Sequence, residues 1–191
     1  MTKKPMNEPS RPLEFTHRDQ WRSWLEKNHA IAQEARLLLY KKPYEDRGIT
    51  MDEAVEEALC FGWVDSVANR YDEKRYALRF SPRKRNSMWS VSNIERVERL
   101  IAAGKMTEAG LLKISEGKAS GTWEAAIERE QVDVIPKDLE RELRKREGAL
   151  QAYQALSDSQ KKQYLYSLQS AKREETRQKR IQKIVEEISE E

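Results

Sequence analysis

The chain has 191 residues, 36% of them charged and 38% apolar, with 36 Lys and Arg against 33 Asp and Glu for a formal charge of +3. That length suits one domain, or a core with a small appended unit, and excludes two large domains. Five Trp, seven Tyr and three Phe are enough to anchor a packed interior, so the chain is read as globular rather than disordered. Because the charge is nearly balanced there is no global nucleic-acid signature, and anion binding has to reside in local basic patches. There is no apolar stretch long enough to span a bilayer and no hydrophobic segment after the N-terminal lysines, so we expect neither a membrane span nor a signal peptide, and a cytosolic protein. Cys60, alone of its kind and flanked by Leu59 and Phe61, reads as a core thiol.

Residues 1–12 carry three prolines and are expected to be a mobile tail. Thr16-His17-Arg18-Asp19 then fits a capping box opening a helix to about Asn28, with Trp21, Trp24 and Leu25 on one face. Leu37 to Tyr40, closed by Pro43, suits a buried strand, which we place at about 36–42. Thr50-Met51-Asp52-Glu53 is a second capping box. It leads a helix whose Met51, Ala54, Val55, Ala58 and Leu59 share a face and which Gly62 ends in a left-handed conformation. In Tyr76, Leu78 and Phe80 the apolar side chains alternate with Ala77, Arg79 and Ser81, the period of a half-buried strand, with Trp63 to Arg70 as its hairpin partner. A turn centred on Asp72 places Asp65 opposite Arg79.

Beyond Pro82 the chain returns to helix. Ser92 opens one that carries Ile94, Val97, Leu100 and Ile101 on one face and stops at Gly104. Thr107 to about Gly117 is another, closed by Gly121-Thr122-Trp123. Residues 128–137 form a connector with Pro136 at a helix start. Helices over Asp138–Arg146, Ser157–Ser170 and onward to Glu187 come next, the last with Ile181, Ile184, Val185 and Ile188 as its stripe. The fold class is α+β: a small antiparallel sheet made of the hairpin at about 63–81 and the strand at about 36–42, packed with helices. The domain plan is an α+β core over 13–135 and a helical C-terminal subdomain over 136–191 packed on it.

His17 and His29 lack Cys or carboxylate neighbours at ligand spacing, so no metal is assigned, and no cofactor motif is present. Lacking a phosphate loop, a nucleophile elbow and a Cys/His pairing, the chain is read as a binding protein rather than an enzyme. Its sharpest local feature is the Asp65–Arg79 pair. One reading is an ion pair that pins sheet register. The other is a pocket for an anion or a partner, in which Arg79 and Arg83 offer donor forks, Trp63 and Trp89 offer walls, Asp65 orients the guanidinium, and Ser87 and Asn93 add neutral hydrogen bonds. The alternative is nucleic-acid binding. Segment 70–85 sets Arg70, Lys74, Arg75, Arg79, Arg83, Lys84 and Arg85 against Asp72 and Glu73, while segment 172–183 sets Lys172, Arg173, Arg177, Lys179, Arg180 and Lys183 against Glu174 and Glu175.

The strings YKK (40–42), EAVEEALCFGWVDS (53–66), YALRFSPRKRNSMWSVSNIERVERLIAAGKMTEAG (76–110), GTW (121–123) and LSDSQKKQYLYSLQSAKREETRQKRI (156–181) resemble the YdeI/OmpD-associated proteins of bacteria, also called OmdA-like or bacteriocin-protection proteins. Glu174 stands where members more often have Pro. The resemblance implies a stress-related role in tolerance of bacteriocins or antimicrobial peptides and an association with an outer-membrane porin, and it implies no enzymatic activity. The expected function is therefore a cytosolic binding protein taking a protein partner or small anionic ligand, its oligomeric state left open.

Overall fold

Thr50 starts the helix that organises the first half of the chain. Its hydroxyl accepts the Glu53 N–H at 3.3 Å, and Glu53 Oε2 accepts the Thr50 N–H at 3.0 Å, so two exposed donors at the helix start are satisfied reciprocally. The computed structural model that carries this detail describes residues 12–189. The tail expected over 1–12 falls, but for Pro12, outside the described residues. The fold is α+β. It divides into two compact units, one taking in the chain up to Ser87 together with Ser92–Ser120, the other Met88–Val91 together with Gly121–Glu191.

In the first unit, β1 (Leu13–Glu14), α1 (Arg18–Asn28), β2 (Ala35–Tyr40), a 3-10 turn (Glu45–Arg47), α2 (Met51–Cys60), β3 (Trp63–Arg70), β4 (Arg75–Pro82), α3 (Val91–Ala102, all but its first residue) and α4 (Glu108–Ala119) occur in that order. The sheet order is β1-β2-β4-β3. β2 and β3 pair antiparallel with β4, but β1 lies parallel to β2 with Leu13 opposite Leu37, so the sheet is mixed where a purely antiparallel one was expected. Two residues are too few to display a period, which is why β1 leaves no trace in the sequence. Ala35, Leu37, Leu39, Leu78 and Phe80 form one buried face, which meets α1 through Trp21, its ring 5.6 Å from that of Phe80. Trp21 also donates to the Ala54 carbonyl at 3.0 Å and so ties α1 to α2.

Several local expectations shift. α1 is capped at His17 rather than Thr16, and Gln20 Oε1 accepts the Thr16 N–H at 2.9 Å. α3 begins at Val91, which puts Ser92 inside its first turn. Met51 and Ile101, expected on buried faces, are exposed. Gly62 and Gly104 do adopt the left-handed conformation, with φ of 72° and 65°.

The second unit holds α5 (Thr122–Glu128), α6 (Lys137–Leu143), α7 (Ala149–Ala155), α8 (Asp158–Gln169) and α9 (Glu174–Ser189). α5 and α7 had no counterpart in the expected elements. α6, α7 and α8 each pack on α9, whose Ile181, Ile184, Val185 and Ile188 are buried with Leu139, Leu143, Tyr153 and Leu168. The chain breaks between Gln169 and Glu174 although Glu174 is not proline.

Candidate functional site

The hairpin register decides what becomes of Asp65. Trp63 faces Pro82 and Asp65 faces Phe80, but after a bulge Ala68 faces Leu78, so Arg79 never stands opposite Asp65. Arg70 faces Tyr76, so the loop is centred on Glu73 rather than Asp72, which shifts the register by two residues, and the bulge takes back only one of them. Arg79 instead faces Arg36 on β2, and its Nε donates to Glu34 Oε2 at 2.8 Å, with Ser66 Oγ accepting from Nη1 at 3.3 Å. Asp65 instead acts on Arg83. Burial of Arg83, 3% exposed, pulls its pKa down to about 10 against the attraction of that carboxylate.

Trp63 is 1% exposed and donates from its indole to the His29 carbonyl at 3.2 Å, so it is a core side chain rather than a wall. Trp89 belongs to the second unit, buried against Trp123 with ring centroids 5.0 Å apart. Its carbonyl accepts from Arg129 Nη2 at 2.5 Å, and Arg129 Nη1 reaches Gln169 at 2.6 Å. Ser87 Oγ accepts the Lys84 N–H at 3.1 Å and closes a turn. Asn93 is buried and accepts from Arg96 at 3.2 Å.

Pairing thins out both basic segments. In 70–85, Arg75 and Arg79 hold carboxylates and Arg83 is buried, leaving Arg70, Lys74, Lys84 and Arg85 exposed. In 172–183, Arg177 is bidentate to Asp138, Arg180 caps the Ser167 carbonyl, and Lys179 and Lys183 pair with Glu175 and Glu187, leaving Lys172 and Arg173 exposed.

The site the first unit does build lies at the hairpin's turn end. Asp72 accepts the Lys74 and Arg75 N–H groups on Oδ1 at 2.8 and 2.6 Å and Arg75 Nε on Oδ2 at 2.8 Å. Burial works against its ionisation, yet these bonds from Arg75 and the two backbone donors hold its carboxyl below the usual range. Lys41 Nζ donates to the Asp72 and Glu73 carbonyls at 3.0 and 3.1 Å, and Glu14, brought in by β1, takes Arg75 Nη1 at 2.9 Å and the Tyr40 hydroxyl at 2.9 Å. Hydrogen bonds to Asp72 and then Glu14 raise the Arg75 pKa beyond its ordinary value, so this guanidinium is a fixed strut.

Beside that strut is a cavity of about 510 Å³ lined by Tyr40, Arg47, Asp72, Glu73, Lys74 and Arg75. The Arg47 guanidinium and the Lys74 ammonium both sit over the Tyr44 ring, 5.1 and 5.3 Å from its centroid. Among the described residues neither cation forms an ion pair. Two like charges thus meet at one ring beside the cavity, with Asp72 already committed to Arg75 and Glu73 on the rim. Lys74 and Arg75 stood in the basic segment singled out in the sequence, whereas Tyr40 and Arg47 did not and carried no local signal. Sequence reasoning also missed Glu57, a buried carboxylate clamped by Arg18 and Arg22.

Residues 13–113 match the model of a family described as a domain of unknown function, DUF8412. That span is just over half of the chain, and the chain belongs to this family. Residues 134–191 match a second family model, described as bacteriocin-protection, YdeI or OmpD-associated (OmdA). The chain thus carries an OmdA segment at its C-terminal end, while the three strings over 40–110 that suggested the resemblance all lie in the stretch matched by the first family. No curated protein and no solved structure matches the chain.

Proposed function

We propose that this protein is a non-enzymatic binding module that serves bacteriocin or antimicrobial-peptide tolerance in the cytosol, taking a small anionic group at the turn end of its hairpin. The description of the family matched by residues 134–191 supports the physiological half of the reading. A single observation carries the chemical half: Arg47 and Lys74 converge on the Tyr44 ring beside a cavity of about 510 Å³, with Arg75 fixed behind them. Nucleic-acid binding stands second, because the exposed cations Arg70, Lys74, Lys84 and Arg85 remain for phosphates after the others are paired or buried.

The test is a calorimetric titration of the full chain with inorganic pyrophosphate and with a single-stranded oligonucleotide at two salt concentrations. We expect pyrophosphate binding that falls about tenfold or more in the Arg47→Gln, Lys74→Gln double variant. It should change little with salt compared with the steep loss that counterion release gives an oligonucleotide. The same variant should fail to restore antimicrobial-peptide tolerance to a deletion strain. Unchanged pyrophosphate binding in the double variant refutes the site, and full complementation by it refutes the link between site and tolerance.

A further inference from the structure

A second cavity, of about 250 Å³, lies in the second unit between the connector that joins α5 to α6 and the neighbouring residues of α7 and α8. It is lined by Val132, Asp133, Ile135, Tyr153, Gln154 and Lys161. Tyr153 is 0% exposed, and its hydroxyl is buried with no hydrogen-bond partner among the described residues. Buried phenols almost always find one, because leaving the hydroxyl unmet forfeits its hydration with nothing in return. Lys161 is also buried, at 7% exposure. Its ammonium approaches only Asp133 Oδ1 among the described residues, at 3.7 Å, beyond hydrogen-bond reach, and the Asp133 side chain is 95% exposed, so water screens the attraction. A buried hydroxyl and a largely buried lysine whose nitrogen keeps access to solvent thus line one cavity, neither with a described acceptor at bonding distance, while Val132 and Ile135 supply apolar wall.

We infer that this cavity binds a small organic carboxylate with a compact apolar tail. Its oxygens accept from the Tyr153 hydroxyl and the Lys161 ammonium, and its tail lies on Val132 and Ile135. One cation and one neutral donor match a single negative charge spread over two oxygens. A phosphate dianion brings more charge than Lys161 alone balances, and Asp133 at the rim repels the excess. The volume is below the usual range for drug-sized ligands or cofactors, which confines the tail to a few carbons. A free acid and the C-terminal carboxylate of a peptide share this chemistry. The site involves neither the residues nor the ligand of the hairpin cavity, so each stands or falls separately.

The experiment titrates the full chain, followed by NMR, with isovalerate and benzoate, with isoamyl alcohol and benzamide as uncharged matches, and with N-acetyl-glycyl-valine as the peptide arm. We expect the free acids to saturate in the millimolar range or below and the uncharged matches to bind about tenfold more weakly or not at all. Lys161→Met should abolish binding. Tyr153→Phe should weaken it about fivefold while keeping or raising the melting temperature, because the unmet hydroxyl is gone. Tight binding of the acetylated dipeptide identifies a peptide terminus as the source, and its exclusion identifies a free acid. Absence of saturation by both acids and the dipeptide overturns the inference, as does wild-type affinity in both variants. A Tyr153→Phe chain that melts lower yet binds acid normally also overturns it, since the hydroxyl is then completed by ordered water.

Discussion

The Glu57 side chain is 3% exposed, yet it accepts from Arg18 Nε at 2.8 Å and Nη2 at 2.5 Å on Oε1, and from Arg22 Nη1 at 2.8 Å on Oε2. Burial opposes the charge on each arginine, but the bonds to Glu57 outweigh it and raise both pKa values above the ordinary one. Glu57→Gln keeps the shape and removes the charge, leaving one amide oxygen for two guanidinium groups. Breaking a deeply buried pair costs about 3–5 kcal/mol. Here the arginines keep 27% and 28% of their side-chain exposure, so water takes over part of their solvation and the expected loss is about 2–3 kcal/mol. For a chain of this length that lowers the melting temperature by about 4–12 °C. Replacing Glu57, Arg18 and Arg22 together with Met should recover most of the loss, because no deeply buried charge is then left without its counterion, Glu56 keeping Arg99 at 3.8 Å and Glu26 lying exposed. Thermal unfolding at neutral pH measures both. A Glu57→Gln variant within about 1 kcal/mol of the wild type, or a triple variant less stable than the single one, would refute the reasoning.

The remaining predictions concern packing and pH. A Cβ at Gly110 would stand 2.4 Å from the Cys60 carbonyl oxygen and 2.8 Å from that of Leu59, so Gly110→Ala has to part α4 from α2 and should cost about 1–3 kcal/mol in urea unfolding. Gly104→Ala meets open space but must hold φ near +65°, and should cost about 1 kcal/mol, so equal losses would show that α2 and α4 can separate freely. Asp138 is held below the usual aspartate range by hydrogen bonds from Arg177 that outweigh its burial. Its folded pKa is thus lower than its unfolded one, so the stability it contributes is fully present above the unfolded value and is lost as pH falls through the folded one. Asp138→Asn should lower stability by about 1–2 kcal/mol at neutral pH and flatten the acid side of the melting curve. An unaltered acid limb would show that another carboxylate governs it.

The features legible without the tertiary structure were local in origin. Thr50 with Glu53, Ser157 with Gln160, and the left-handed glycines at 62 and 104 act over three or four residues, and the structure has caps and helix ends at those places. The stripe Ile181, Ile184, Val185, Ile188 and the strand Arg75–Pro82 announce themselves by period, since a buried face must repeat with the element that carries it. Partner choice is not local. Glu56 and Glu57 are chemically identical neighbours, and only the approach of Arg18 and Arg22 from α1 makes one of them a buried anion. Asp65 and Arg79 looked paired until the loop proved to be centred one residue further along, and Trp63 and Trp89, both offered as walls, are buried. The hairpin cavity was half legible, through Lys74 and Arg75. Tyr40 and Arg47 reach it, and Glu14 braces Arg75 behind it, only because β1 and β2 pair in a particular register and a turn comes after β2. In the second unit, Lys161 reads in sequence as one more solvated lysine on a charged helix. Its burial beside Tyr153 comes from how α7, α8 and the connector fill space together, a volume constraint that no spacing of residue types encodes.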